Sequence, residues 1–284
     1  MKVLVFGKTG QLARALIAAG PEMGVEITAL GRDAADLSDP AACAAVVAAT
    51  NAQAVINAAA WTAVDAAETQ EAAAHVMNAD APAAMAQACA TKGLPFVYIS
   101  TDYVFDGTGS QAWRPDDPTA PLSAYGRTKL AGEKGVVAAG GAYAILRTAW
   151  VFDAGGQNFV TTMLRLSQTQ NALRVVSDQI GGPTPAAAIA KASLHVARAL
   201  TEDQSTSGTY HLSGVPEVSW ADFARAIFAV AGRDVPVTDI GSTDYSTAAK
   251  RPANSRLDCR TTEAVFGINR PDWHIELAKM LAPS

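Results

Sequence analysis

The chain has 284 residues, is 49% hydrophobic and 17% charged, and carries 22 glycines and 14 prolines, the composition of a globular protein with one large core and room for a smaller lobe. Its 22 basic and 27 acidic residues leave a net charge of -5 at pH 7, so no basic field is available to hold a polyanion and nucleic acid is not expected as a partner. A small anionic ligand stays possible, since a few amides and arginines suffice to bind one. Cys43, Cys89 and Cys259 are odd in number and far apart, and His75, His195, His211 and His274 are scattered, which supports neither a disulfide framework nor a metal site. The opening MKVLVFGKTG runs from a short apolar stretch into a glycine turn rather than a cleavable signal. No segment approaches about 18 consecutive apolar residues. A cytoplasmic protein without membrane attachment is expected.

The first predicted strand, Lys2–Phe6, leads straight into GKTGQLA, where Gly7, Gly10 and Ala13 recur at three-residue spacing before a helix over 11–19. Gly7 permits a tight turn, Gly10 lets the backbone approach a pyrophosphate at the helix start, and Ala13 lets that helix lie close to the sheet. Such a glycine pattern means little alone; its place between the first strand and the first helix gives it meaning. The second strand, Glu26–Leu30, ends in ALGRDAADLSD. A free ribose 2′-hydroxyl usually meets an acidic residue at this point, whereas a 2′-phosphate asks for a positive group. Gly31 and Arg32 stand here, so NADPH is expected ahead of NADH. NADH stays open because Asp33 follows at once and offers Arg32 a carboxylate. Asp36 and Leu37 are placed at the adenine.

A helix over 40–50 precedes the third strand, Ala54–Asn57, and the stretch NAAAWTAVDAAE. The small side chains of Ala58, Ala59 and Ala60 let a cofactor pass close to the backbone, and plain packing would use them equally well. After a helix over 79–91, a strand over 96–100 opens YISTDYVFDG and sets Ser100 and Thr101 at its carboxyl end. A helix over 125–138 then carries SAYGRTKLAGE, in which Tyr125 and Lys129 are i and i+4 and stack on one side about 6 Å apart at their bases. Free tyrosine titrates at about pH 10, and a neighbouring ammonium lowers that value by favouring the phenolate. Ordinary helices often contain this pair. Its meaning changes beside Thr101, which can donate a hydrogen bond to a carbonyl oxygen while Tyr125 donates a proton.

A strand over 144–147 closes the first 150 residues. The strands read as continuous apolar runs with helices between them, the pattern of a doubly wound parallel sheet in a Rossmann-type α/β domain. Beyond Trp150 the rhythm changes: a helix over 158–168, a strand at Leu173–Val176, and a helix over 185–200 belonging to the main domain. From about Tyr210 the elements shorten, with YHLSG, a helix over 220–231, the loop TDYSTAAKRPANSRL and a last helix at Trp273–Leu281. The expected organisation is a dinucleotide-binding domain over 1–150 that also receives about 171–200. A smaller C-terminal α/β substrate lobe, over 151–170 and 201–284, completes the crevice.

VFGKTGQLA, VINAAAWTAVDAAE, YISTDYVFDGTG, PLSAYGRTKLAGE, LRTAWVF, NFVTTMLRL, SDQIGGPT, YHLSG and RPANSRL run through nearly the whole chain. Together they resemble the extended short-chain dehydrogenase/reductases and, among them, the dTDP-4-dehydrorhamnose reductase family. The resemblance implies a catalytic trio of Thr101, Tyr125 and Lys129, with the last two also holding the nicotinamide ribose, and a cofactor loop of Gly7, Gly10, Gln11 and Leu12. It implies a sugar pocket at Asp102, Tyr103 and Trp150, the indole packing on the sugar's apolar face and 6-methyl group. Arg251 and Arg256 are then basic groups for the substrate's two phosphates, with Asn158 at its pyrophosphate. The implied reaction is transfer of hydride from NADPH to C4 of dTDP-4-dehydro-β-L-rhamnose, with Tyr125 protonating the alkoxide.

The chain departs from the family at two places. Some members dimerise through magnesium held by glutamates where Ala15 and Ala187 stand here, so no metal and no magnesium-bridged dimer are expected, and the chain is read as a monomer or weak dimer. Trp61 occupies a position where relatives often carry histidine. Two other readings compete: a different nucleotide-sugar 4-keto reductase or epimerase, and a non-catalytic regulatory relative similar to the methionine adenosyltransferase beta subunit. The intact Thr101, Tyr125 and Lys129 set speaks against the second.

Overall fold

The computed structural model describes residues 1–282. Its first half alternates strands β1 (Lys2–Phe6), β2 (Glu26–Leu30), β3 (Ala54–Asn57), β4 (Phe96–Thr101) and β5 (Tyr143–Thr148) with helices. The helices are α1 (Gln11–Glu22), α2 (Pro40–Ala49), α3 (Val64–Ala67), α4 (Glu71–His75), α5 (Ala81–Lys92) and α6 (Ala124–Ala138). The second half runs through β6 (Val151–Phe152), α7 (Phe159–Leu166), β7 (Leu173–Val176), β8 (Ile180–Gly181), β9 (Thr184–Pro185), α8 (Ala186–Glu202) and β10 (Gly208–His211). It ends with β11 (Val218–Ser219), α9 (Trp220–Val230), β12 (Val237–Ile240), β13 (Asn254–Ser255), α10 (Arg260–Phe266) and α11 (Trp273–Leu281).

Six strands form one parallel sheet in the order β10-β5-β4-β3-β1-β2. Its strands lack polar alternation because both faces are covered. Val3, Val5, Ile56 and Val97 pack beneath α1 and α8, while Leu4, Phe6, Val55 and Tyr98 pack beneath α2 and α5. Strand order reverses on either side of β1 and β3, which opens a crevice at the carboxyl ends of these strands.

Leu173–Val176 corrects the expected placement. It pairs in parallel with β12, Leu173 opposite Val237, and buries Leu173 and Val175 in a separate core with Phe152, Phe223 and Trp273. The sixth place in the main sheet goes to β10, with Gly208 opposite Ala144 and Tyr210 and Leu212 in the core under α8. A four-residue apolar run satisfies either sheet, and only the tertiary partner decides between them. Residues 64–80 also hold more structure than expected: α3, α4 and a π-helical turn at Val76–Asp80 lead into α5.

Helix α6 lies unusually close to β4. A Cβ on Gly126 would strike the Tyr103 carbonyl, and one on Gly132 would strike the Asn78 carbonyl and the Tyr98 hydroxyl. Ser123 caps the helix by accepting from the Gly126 amide at 3.2 Å, a contact that contributes about 1 kcal/mol. This approach carries Tyr125 and Lys129 into the crevice.

Candidate active site

At the glycine loop, Gly7 has φ 112°, and a Cβ there would press to 3.3 Å on the Ala58 carbonyl carbon. Gly10 caps α1 with extended backbone and no side-chain bond, and the space above it is open. The first amides of α1, from Gln11 and Leu12, therefore face an open approach suited to an anion. Ala58 follows β3 directly and donates its amide to Phe6 O at 2.9 Å, while the Ala59 amide donates to Asn57 Oδ1 at 3.1 Å. These side chains and that of half-buried Ala60 leave backbone as the cradle surface. Leu12 and Leu37 are buried in the two main-domain cores, so they offer the crevice main chain rather than side chain.

Arg32 is exposed at the end of β2. The Asp33 carboxylate folds back over Gly31 instead of pairing with it, and the Lys8 chain crosses Gly31 at 3.7 Å from a would-be Cβ. Lys8 thus joins Arg32 at the rim; a cation inside the glycine loop was the overlooked signal for it. Asp36 Oδ1 accepts from the Ser38 amide at 2.9 Å, which holds its carboxyl below the ordinary value.

Among the described residues, three buried side-chain polar atoms have no partner: Asn57 Nδ2, Asp102 Oδ2 and Thr148 Oγ1. They sit at the carboxyl ends of β3, β4 and β5, which are neighbours in the sheet. Such an atom costs about 1–3 kcal/mol, and three at adjacent strand ends make this edge a candidate ligand site.

Asp102 is 2% exposed, and burial pushes its carboxyl up to about 6, with the Ser255 and Thr101 hydroxyls pulling the other way. Thr101 Oγ1 donates to Asp102 Oδ1 at 3.1 Å and accepts from the Tyr103 amide at 3.2 Å. The Tyr103 ring meets Tyr125 edge-on, centroids 5.5 Å apart. Lys129 is 2% exposed; its Nζ donates to Ile99 O at 2.7 Å and lies 3.9 Å from the centre of the Tyr98 ring.

Titration here differs from the expectation that the ammonium lowers Tyr125. Burial raises Tyr125 to about 12, the Thr101 hydroxyl beside it lowers it, and the Asp102 charge raises it. Burial also lowers Lys129 to about 7, with the Glu133 charge opposing. Desolvation disfavours charge on both groups of the pair and outweighs the attraction between them. Tyr125 accordingly remains a proton donor throughout the neutral range.

Between β5 and β6, Trp150 is the one non-glycine residue with positive φ among the described residues, at 52°, a strained conformation typical of functional positions. Its indole stacks on Trp220 at 3.5 Å between centroids, and Gly181 lies so close that a Cβ there would sit 2.8 Å from Trp150 Cε2. Trp220 was not foreseen from sequence, because its neighbour in space is 70 residues away in the chain. Arg251 is paired with Asp65 of α3 at 2.7 Å, and the Ala249 amide also donates to Asp65, at 3.0 Å. Arg256 turns its Nη1 onto Asn254 Oδ1 at 3.0 Å.

Asn158 caps α7, and its Nδ2 donates to Gln11 Oε1 at 3.0 Å and Asp153 O at 2.8 Å. Its amide is occupied in joining α7 to the glycine loop. Trp61, like Tyr125, packs against the small cluster of Ala67, Ala74 and Ala124, and its amide donates to Asn78 Oδ1 at 2.8 Å. Ala15 is half-buried on α1 and Ala187 exposed on α8. The fold therefore gathers Thr101, Asp102, Tyr103, Tyr125 and Lys129 at one corner, while Arg256 and Asn158 are engaged with partners of their own.

A family model described as RmlD substrate binding domain matches residues 1–284. The chain is 44% identical over 280 residues to dTDP-4-dehydrorhamnose reductase of Sinorhizobium fredii, covering 96% of this chain and 94% of that one. The crystal structure of a dTDP-4-dehydrorhamnose reductase from Clostridium acetobutylicum superposes with a TM-score of 0.92 at 36% identity, covering 99% of this chain and 98% of that one. The Bacillus anthracis reductase, solved in complex with NADP, gives 0.90 at 32% identity with 98% of each chain covered.

Proposed function

We propose a residue-level mechanism on the premise that this chain belongs to the dTDP-4-dehydrorhamnose reductase family. The protein is an NADPH-dependent oxidoreductase that reduces the C4 keto group of dTDP-4-dehydro-β-L-rhamnose to give dTDP-L-rhamnose. The supporting observation for the roles below is the corner where protonated Tyr125 meets Thr101 and the unpartnered Asp102 Oδ2.

The open cradle over Gly7 and Gly10 fits a dinucleotide pyrophosphate, and Arg32 with Lys8 fits a 2′-phosphate. When bound, NADPH supplies the hydride for C4. Thr101 turns its hydroxyl from Asp102 to the carbonyl oxygen, and Tyr125 delivers its proton to that oxygen as the alkoxide forms. Lys129 would hold the nicotinamide ribose of the bound cofactor, and it stabilises the Tyr125 phenolate left behind. Asp102 Oδ2 accepts from a sugar hydroxyl, and Tyr103 and Trp150 wall the sugar, with Trp220 backing the Trp150 indole. Arg251 exchanges Asp65 for a substrate phosphate and Arg256 takes the other. Asn158 acts through Gln11, holding the glycine loop. We assign a cytoplasmic monomer or weak dimer, since alanine at 15 and 187 provides no ligand for a bridging magnesium.

The test is NADPH oxidation with the 4-keto rhamnose nucleotide beside its UDP and GDP analogues. Oxidation that depends on the dTDP sugar is expected, and its absence with all three would sink the assignment. Arg32→Ala is expected to raise the KM for NADPH roughly tenfold, the loss of one charge-assisted hydrogen bond, with the KM for NADH nearly unchanged. Equal effects on both cofactors rule out the 2′-phosphate contact.

A further inference from the structure

Tyr125, Lys129 and Glu133 follow one another at four-residue intervals on α6 and form a single stripe facing the sheet. Glu133 is 3% exposed. Its Oε1 accepts from Ser100 Oγ at 2.6 Å and Arg147 Nε at 2.9 Å, and its Oε2 accepts from Arg147 Nη2 at 2.7 Å. Ser100 and Arg147 are register partners on β4 and β5, one residue before Thr101 and Thr148. One carboxylate thus joins α6 to two strands immediately before their reacting ends. A second polar anchor of α6 on β4, Lys129 Nζ on Ile99 O, lands on the residue next to Ser100.

We propose that Glu133, locked in place by Arg147, is a positioning residue for the catalytic pair: it sets Thr101 against Tyr125 through Ser100, and its charge keeps the proton on Lys129. The inference rests on the roles given above to Tyr125 and Lys129.

A brace alone needs no charges. Apolar side chains of similar volume replace a buried ion pair with little loss, and often with a gain, in stability. Arg147 has other company as well: its Nη1 donates to Pro115 O at 3.1 Å and its guanidinium lies 5.1 Å from the Phe105 ring. What the carboxylate adds is negative charge one helical turn from a buried ammonium. The titratable groups around Lys129 are Tyr98 on β4, Asp102 just after it, Tyr125 and Glu133 on α6, Arg147 on β5 behind Glu133, and His211 on β10 behind Arg147. Burial and the Arg147 charge lower His211 to about 3, so it is neutral. Tyr98 and Tyr125 are raised and uncharged at neutral pH. Glu133 is the group that opposes the effect of burial on Lys129.

The sign follows directly. Lys129 acts as a cation, so turnover falls as pH rises through its titration; removing the Glu133 charge moves that titration, and the fall, to lower pH. The experiment reads the Lys129 ε-carbon in 13C-lysine-labelled enzyme, its resonance identified by loss in Lys129→Met, alongside the alkaline limb of kcat/KM. In Glu133→Gln both midpoints are expected to drop by about one pH unit. Ser100→Ala removes the hydrogen bond but not the charge, so kcat falls and the midpoint stays. If the single variant does not fold, Glu133→Gln combined with Arg147→Met, which buries no lone charge, carries the same test. A Lys129 midpoint that moves in no Glu133 variant overturns the proposal, as does one that moves as far in Ser100→Ala. Tyr125→Phe and Lys129→Met run in parallel: full turnover in those two refutes the assigned chemistry itself, whereas an unmoved midpoint with both impaired refutes only the role of Glu133.

Discussion

Tyr125→Phe is expected to lower kcat by a factor of roughly 100 or more, the usual contribution of a positioned general acid, and to leave NADPH binding in place. The substitution deletes one hydroxyl and keeps the ring, so the edge-on contact with Tyr103 and the packing against the cluster of Ala67, Ala74 and Ala124 persist. No neighbour can take over the proton. The Thr101 hydroxyl is a donor of hydrogen bonds rather than an acid, and the Lys129 ammonium is directed at the Ile99 carbonyl. Because burial holds Tyr125 at about 12, the alkaline fall of the wild-type rate is expected from Lys129 near 7. It should survive in the residual activity of the variant. Steady-state turnover together with a fluorescence titration of NADPH checks this; turnover within a few-fold of wild type excludes Tyr125 as the acid.

Asp102→Asn is expected to act in opposite directions on stability and rate. The folded carboxyl is raised from its ordinary 3.8 to about 6, chiefly by burial. The fold therefore prefers the protonated form: the favourable contribution is complete below pH 3.8 and is lost as pH rises through 6. At pH 8 the wild type carries a buried carboxylate that destabilises it by roughly 3 kcal/mol, and a neutral amide removes that penalty. The variant should melt a few degrees higher at pH 8, with the gain shrinking to nothing by pH 4. Its turnover should fall about tenfold, as loss of one hydrogen bond to a charged acceptor predicts. Calorimetry of both proteins at pH 4, 6 and 8 provides the check; a melting difference that does not grow with pH refutes the buried-carboxylate explanation.

Much of the site was legible because its signals are local. GKTG stands between a strand and a helix, Tyr125 and Lys129 are one turn apart, and Thr101 ends an apolar run; each is a relation among residues within a few positions of one another. Other features depend on residues far apart in the chain. Asn158 reads as a phosphate ligand until its amide is found on Gln11, and nothing near Arg251 in the sequence announces that its resting partner is Asp65. Trp220 looks like one more helix-start aromatic until Trp150 lies flat upon it. Glu133 carries no signal in the sequence, since nothing nearby announces Ser100 and Arg147.

By itself the sequence determined the parallel α/β architecture and singled out the glycine loop and Thr101, Tyr125 and Lys129 as candidates, because strand hydropathy, turn glycines and helical spacing are short-range properties of the chain. Only the tertiary structure decided that β10 rather than β7 completes the main sheet, since a short apolar strand pairs wherever a covered edge is offered. It alone decided the direction of the Tyr125 and Lys129 titrations, because burial is a property of the assembled crevice and outweighs the attraction that i,i+4 spacing suggests.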